Sequence, residues 1–261
     1  MNQSSSVKQP KIFVGGGSWA RGEWEENNPR VSHRGIIQYF LDDGHTVIDA
    51  SLARSWHFKS IQKLERHLTR EYQENDIVFF MLADPLLDVV MPELHSTQVK
   101  RNISVKNLEH FTEEIKRAGG VIALLRETQN KIYKQLNDVA TKFNVTIHCI
   151  GGNSNVNTNL LSQYPNLTPT VMSWMNLLVG HLREHKHIRN PEFVVSYTWG
   201  IDYINLSTYT EEFAEQVKRE VNSLSDKTNV MNELIFHPDG LHPNREGHKI
   251  LYNYLVNKLN L

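Results

Sequence analysis

The sequence predicts an α/β protein in which a mostly parallel sheet of about five strands lies between two layers of helices. Short apolar runs alternate along the chain with longer segments whose apolar residues recur at helical spacing. The runs at 76–82 and 145–150 are apolar at nearly every position, which is typical of strands covered on both faces. Because strands alternate with helices, right-handed crossovers are expected, and the architecture is a three-layer α/β/α sandwich.

Five apolar runs are predicted to be strands, since turn residues or helical segments flank each of them. They are residues 11–14, 46–50, 76–82, 121–125 and 145–150. The first run breaks into Gly15, Gly16 and Gly17, which predicts a tight loop directly after that strand. The polar stretch 84–98 is expected to form a loop over the sheet. The order of the strands within the sheet is left open.

Six segments carry apolar residues at helical spacing and are predicted to be helices. They are residues 34–43, 58–72, 129–143, 171–185, 211–221 and 245–259. Gly44 is a suitable C-terminal cap for the first, and Asn244 is the expected N-cap of the last. No linker is visible, so residues 11–261 are expected to form one domain after a disordered tail at 1–10, with one further apolar patch at 193–196.

Charge and composition exclude several classes of function. The 261 residues include 28 Lys and Arg against 29 Asp and Glu, so no general attraction to nucleic acid or to an anionic membrane is expected. No apolar run approaches the roughly 18 residues of a membrane span, and residues 1–9 carry no secretory signal, which predicts a cytoplasmic location. The single cysteine, Cys149, excludes an internal disulfide and is expected to be buried and inert.

Ser18 directly follows the first predicted strand, within a segment rich in glycine. Glycines allow a sharp turn that exposes the hydroxyl group and brings backbone N–H groups close to a substrate oxygen. Asp239 and His242 lie three residues apart before the last predicted helix, a spacing at which a carboxylate can orient an imidazole. Ligands of open α/β sheets bind at the carboxyl ends of the strands, so we expect His242 to face Ser18 there.

These blocks resemble those of the SGNH, or GDSL-type, hydrolases. That family carries Gly-Asp-Ser after its first strand and Asp-x-x-His, often followed by Pro, before its C-terminal helix. Here the last block is Asp239-Gly-Leu-His242-Pro243. The resemblance implies a flavodoxin-like sandwich in which Ser18 is the nucleophile, His242 the general base and acid, and Asp239 the residue that orients it. It also implies hydrolysis of a small ester or an acylated carbohydrate, without a metal or an organic cofactor.

The blocks that build the oxyanion hole depart from the family pattern. The family has Asp before the serine, Gly after the second strand and Gly-x-Asn-Asp after the third, and none of these is present here. The loss of one oxyanion donor costs on the order of a hundred-fold in rate. Oxyanion or substrate contacts are expected from residues at the predicted strand ends and beside the serine. They are Gly17, Trp19, Ser51, Ala83, Asp84, Arg126 and Asn153.

The missing donors support an alternative in which the fold is kept and the chemistry is weak or lost. The protein would then bind carbohydrate or form part of a larger assembly, as a homo-oligomer or in a phage particle. Residues 16–24, Gly-x-Ser-Trp-x-x-Gly-Glu-Trp, are similar to phage-encoded members of the family. A location in the virion is the corresponding expectation.

Two further motifs indicate other chemistries. Residues 15–20 match the relaxed dinucleotide-binding pattern Gly-x-Gly-x-x-Ala, with Asp49 at the end of the second strand as a ribose-binding acid. That function requires a helix to begin at Trp19, and the acidic stretch 22–29 disfavours phosphate. Residues 181–185 match the His-x-x-Glu-His pattern of zinc peptidases, but the cations around them favour a solvated helix end. No metal is expected.

Overall fold

The computed structural model describes residues 9–24, 31–52, 57–83, 85, 88, 105–152, 156–174, 177–178, 181 and 242–261. The strands are β1 (Ile12–Gly16), β2 (Glu23–Trp24), β3 (Val31–His33), β4 (Val47–Ser51), β5 (Ile77–Leu82), β6 (Ile147–Gly151) and β7 (Leu167–Val171). The helices are α1 (Ile36–Asp42), α2 (His57–Glu71), α3 (Val105–Ala118), α4 (Val121–Phe143), α5 (Thr158–Leu161) and α6 (Arg245–Leu259). A single 3₁₀ turn, Ser18–Ala20, follows β1.

The main sheet has five strands in the order β4-β1-β5-β6-β7, and every neighbouring pair is parallel. The short strands β2 and β3 pair with each other in a separate antiparallel ladder. This is the doubly wound order in which the strand sequence reverses at β1. The crevice at the carboxyl ends of β1 and β5 is therefore the expected place for a ligand.

The core lies on both faces of the sheet because successive strand residues point to opposite sides. Ile12 and Val14 of β1 belong to an apolar cluster with residues of α1 and α6. Phe13, between them, belongs to a second cluster with residues of α2 and α4. All three side chains are fully buried. The predicted α/β class, with a mostly parallel five-stranded sheet between helices, is confirmed.

One of the five predicted strands is wrong, and one strand of the main sheet was not predicted. Residues 121–125 form the first turns of α4, a helix of 23 residues, and not a strand. Five apolar residues in a row fit a strand and a buried helix turn equally well, and here the longer helical pattern decides. The fifth strand is β7, which the sequence analysis missed because Thr168 and Pro169 interrupt its apolar character. Its position at the sheet edge explains why a proline is tolerated.

Helices α1, α2 and α6 begin and end within two residues of their predicted bounds, whereas α4 begins at Val121, eight residues before its predicted start at 129. Asn244 caps α6 as expected, since its side chain accepts a hydrogen bond from the Gly247 N–H at 3.1 Å. Gly44 follows α1 with a φ of 88°, which suits a glycine after a helix. Helix α3 was not predicted. Within the described part of the chain, no helix combines the length and the apolar character needed to cross a bilayer.

Several expected segments lie wholly or mostly outside the described residues. These are most of the tail expected at 1–10, most of the stretch 84–98, most of the helix expected at 171–185, the helix expected at 211–221 and the patch at 193–196.

Candidate active site

Ser18 lies at the carboxyl end of β1, where the chain leaves the sheet. Gly16 ends the strand with a φ of 128°, and a Cβ atom there would lie 2.5 Å from the Met81 carbonyl oxygen of β5. Only glycine therefore allows β1 to run this close to β5 at its end. The 3₁₀ turn follows at once, with the Arg21 N–H donating to the Ser18 carbonyl oxygen at 3.0 Å. The turn therefore places Ser18 directly after the carboxyl end of β1, where that strand pairs with β5.

His242 approaches Ser18 from the other end of the chain. It lies three residues before the first residue of α6 and is half-buried. A hydrogen bond of 2.8 Å joins Ser18 Oγ and His242 Nε2, across 224 positions of sequence. This distance falls within the range required of a nucleophile and its general base. The structure thus brings together two of the three residues expected in a catalytic triad. Asp239, the third, lies outside the described residues.

Two tryptophan rings, Trp19 and Trp174, pack beside this pair. Trp19 contacts Trp174 edge-on, with ring centroids 5.4 Å apart, and its ring lies 6.4 Å from that of His242. The Trp174 Nε1–H donates to the Gly247 carbonyl oxygen in α6 at 3.2 Å. Trp19 is only 7% exposed, so its ring packs within the protein and offers no open face for a sugar. The structure therefore gives no support for stacking of this ring on a sugar, and a substrate contact from Trp19 stays a prediction.

Next to Trp174, His248 is fully buried on α6. Its ring lies edge-on to that of Trp174, with the centroids 4.7 Å apart. The Ile36 N–H donates to its Nδ1 atom at 3.3 Å, so the proton of the neutral ring is on Nε2. Burial lowers the pKa of His248 to about 3, and the charges of His33 and His242 act in the same direction. This histidine is therefore a neutral structural acceptor at physiological pH.

The amide of Ala83, an expected oxyanion donor after β5, is engaged elsewhere. Its N–H donates to Nε2 of the buried His57 at 2.9 Å. That contact places the His57 proton on Nδ1, which lies 3.0 Å from Asp88 Oδ2, while Asp88 Oδ1 accepts from the His57 backbone N–H. The prediction for Ala83 as an oxyanion donor is wrong, because α2 and the loop after β5 are joined here. No motif in the sequence signals this His–Asp pair.

The other candidates at the strand ends have different surroundings. Ser51 ends β4 as expected, but its hydroxyl donates to Asp49 Oδ1 at 2.5 Å. The prediction that Arg126 follows a strand is wrong, since this residue is exposed on α4. Gly17 is buried beside Ser18, and its role as an oxyanion contact stays a prediction. Asp84 and Asn153 lie outside the described residues.

The glycine that follows β6 is also engaged. The Gly152 N–H donates to the Leu82 carbonyl oxygen at 2.9 Å. Among the candidate positions that the structure describes, the backbone N–H groups of Gly17 and Ser18 therefore remain the candidates for stabilising an oxyanion beside Ser18 Oγ.

The dinucleotide-binding motif receives no support from the geometry. No α-helix begins at Trp19, where a dinucleotide fold requires one, because a single 3₁₀ turn leads into β2. Asp49 Oδ2 lies 3.6 Å from Arg34 Nη2, and Asp49 Oδ1 accepts from the Ser51 hydroxyl.

Of the His-x-x-Glu-His motif only His181 lies among the described residues, and within those no group of His, Cys, Asp or Glu is arranged to hold a metal ion. Cys149 is buried, and burial raises the pKa of its thiol to about 12.

Comparisons with known proteins add little to this geometry. No protein-family model matches the chain, and no curated protein matches it significantly. Among solved structures, the chain is similar to the crystal structure of the lipase/acylhydrolase from Enterococcus faecalis. The identity is 14%, the alignment covers 96% of this chain and 95% of that chain, and the TM-score is 0.36. At these values the likeness carries no argument, and the fold assignment rests on the strand order described above.

Proposed function

We propose that this protein is a serine hydrolase that cleaves a carboxylic ester through an acyl-enzyme on Ser18. The observation that carries the proposal is the 2.8 Å hydrogen bond between Ser18 Oγ and His242 Nε2. It lies at the carboxyl end of β1, where the strand order reverses and where α/β proteins bind their ligands. Residues 11–261 would act as one domain.

The reaction would proceed in two halves. Ser18 Oγ attacks the ester carbonyl carbon while His242 Nε2 takes the hydroxyl proton, and backbone N–H groups near Gly17 and Ser18 stabilise the oxyanion. His242 then gives that proton to the leaving alcohol, and the acyl group stays on Ser18. Water deprotonated by His242 releases the acid and restores the serine. Asp239, three residues before His242, would hold the imidazole in the required tautomer.

The substrate proposed for this site is a small ester, most specifically an acetyl group on a carbohydrate hydroxyl. The support for the carbohydrate is the resemblance of the Asp239–His242 block to that of the SGNH hydrolases. The buried Trp19 provides no stacking surface for a sugar, so a sugar would be held by polar groups.

The experiment is hydrolysis of p-nitrophenyl acetate and of acetylated xylose by the wild type, Ser18→Ala and His242→Ala. Each substitution should lower kcat by about a thousand-fold or more, as removal of a catalytic serine or histidine does in other serine hydrolases. Ser162→Ala and His110→Ala change the same residue types at exposed positions and should retain the wild-type rate. Equal rates for all five proteins would contradict the proposal.

A second candidate is a protein of the same fold that binds a carbohydrate or builds an assembly without hydrolysing an ester. It is favoured by the amides of Ala83 and Gly152, which both donate within the protein. Under this proposal, calorimetry would detect binding of acetylated sugars that Ser18→Ala does not change, and no substrate would be turned over.

A further inference from the structure

The chain segments that carry Ser18 and His242 meet a second time, away from the serine. Glu23 lies five residues after Ser18, at the start of β2, and Arg245 lies three residues after His242, as the first residue of α6. Glu23 Oε2 accepts from the Arg245 backbone N–H at 2.6 Å and from its Nε–H at 3.3 Å. Glu23 Oε1 accepts from Arg245 Nη2 at 3.1 Å. One carboxylate therefore holds both the backbone and the side chain of the first helical residue.

The charges of this contact make it stronger than an ordinary surface ion pair. The Glu23 side chain is only 17% exposed, whereas that of Arg245 is 53% exposed. Burial raises the pKa of Glu23, but the hydrogen bonds and the charge of Arg245 outweigh it and hold that pKa below its ordinary value. Glu23 is thus ionised at neutral pH. A carboxylate at a helix N-terminus is further stabilised by the helix dipole, and a bidentate pair with arginine fixes direction as well as distance.

Both sides of the contact are anchored to the rest of the fold. Glu23 pairs with His33 in the β2–β3 ladder, and Gly22 before it is packed so closely under His33 that no side chain fits there. On the other side, Asn244 caps α6, and the buried Leu251 holds the helix on the sheet. The Glu23 carboxylate consequently links β2, which is continuous with the serine segment, to α6, which is continuous with the histidine.

We propose that Glu23 is a positioning residue, which sets the distance between Ser18 Oγ and His242 Nε2 by holding the first turn of α6 against the segment that follows the serine. It acts through Arg245 and touches neither reacting group. This inference rests on the proposed function, because it assigns a purpose to the same site. A displacement of about 1 Å in a reacting pair costs on the order of a hundred-fold in rate.

The test is the rate at which a fluorophosphonate probe reacts with Ser18. In that reaction Ser18 Oγ bonds to phosphorus, fluoride leaves, and the serine proton passes to His242. Glu23→Ala should lower the maximal rate constant of labelling ten- to hundred-fold with little change in the half-saturating probe concentration, because the probe site itself is untouched. Glu23→Gln keeps an oxygen that can accept from the Arg245 N–H and should recover part of the rate.

The matched control is Glu127→Ala. Glu127 on α4 accepts two hydrogen bonds from Arg117, both of 3.1 Å, and one from Lys131 at 2.7 Å. The Glu127→Ala variant therefore loses a comparable ion pair on the protein surface. Its labelling rate should equal that of the wild type. Thermal unfolding of all the variants shows whether each of them folds. A Glu23→Ala protein that labels as fast as Glu127→Ala would overturn the proposal.

Failure of the proposed function is recognised separately, by a wild type that does not react with the probe. The position of His242 is then measured through the ¹⁵N chemical shifts of its imidazole. Glu23→Ala should move these shifts, since the Ser18 contact is loosened, and Glu127→Ala should not. Unchanged His242 shifts in a folded Glu23→Ala protein would overturn the positioning role whether or not Ser18 is reactive.

Discussion

Mild acid should destabilise this protein through His248, a fully buried residue of α6 that contacts the first residue of α1. The Ile36 N–H requires the unprotonated Nδ1 atom as its acceptor, and burial lowers the pKa of the ring to about 3. In the unfolded chain the pKa of a histidine is about 6.5. Below that value the unfolded state binds a proton that the folded state does not, so the free energy of unfolding falls as the pH falls, until about pH 3.

The size of the effect follows from the two pKa values. Well inside this window each pH unit is worth about 1.4 kcal/mol, and the full window amounts to as much as about 5 kcal/mol. Domains of this kind are stabilised by about 5–15 kcal/mol in total, so the loss between pH 7 and pH 4 is large enough to measure. His33 and His242 oppose protonation as well, because both lie close enough for their charges to act on the ring.

The assay is urea unfolding of the wild type, His248→Gln and His110→Gln between pH 7 and pH 4. Glutamine at position 248 can still accept from the Ile36 N–H but does not titrate. The free energy of unfolding of this variant should therefore fall less steeply with falling pH, by about 1.4 kcal/mol per pH unit. His110 is exposed on α3, and its replacement should leave the wild-type slope unchanged. Identical slopes for the wild type and His248→Gln would refute the reasoning.

Two further predictions concern the elements that position the site. Asn244→Ala removes the cap of α6, and urea unfolding should show a loss of about 0.5–2 kcal/mol, with Asn244→Ser close to the wild type; an unchanged midpoint would contradict the role of the cap. Gly16→Ala should destabilise the protein more than Gly119→Ala, because both glycines have positive φ values but only at position 16 does the new Cβ meet a carbonyl oxygen. Positive φ alone costs about 1–2 kcal/mol, and equal losses for the two variants would show that β1 and β5 can move apart.

The parts of the fold that the sequence predicted well are those in which local pattern and burial agree. Strands β5 and β6 are apolar on both faces because both faces are covered, and α6 has the bounds 245–259 that its periodicity and its Asn244 cap indicate. The strand predicted at residues 121–125 is wrong because a run of five apolar residues fits a strand and a buried helix equally well. Strand β7 was missed because an edge strand can carry threonine and proline. The strand order depends on packing between distant elements, which no local pattern records.

In the candidate site too, the contacts between residues of recognisable motifs were predicted and the others were not. Ser18 and His242 were expected to meet because each stands at a recognisable place, one after a strand and one before a helix, and they do lie 2.8 Å apart. Glu23 and Arg245 are separated by 222 positions, and neither belongs to a motif, so their contact is visible only in three dimensions. For the same reason the pairing of His57 with Asp88, which occupies the Ala83 amide, could not be foreseen.

The central claim, that Ser18 is an activated nucleophile, is tested most directly by peptide mass spectrometry after reaction with the fluorophosphonate probe. The account predicts one label per chain, on Ser18, in the wild type and in Ser162→Ala, and no label at that position in Ser18→Ala or His242→Ala. An unlabelled Ser18 in folded wild-type protein, under conditions in which a known serine hydrolase is fully labelled, would contradict it.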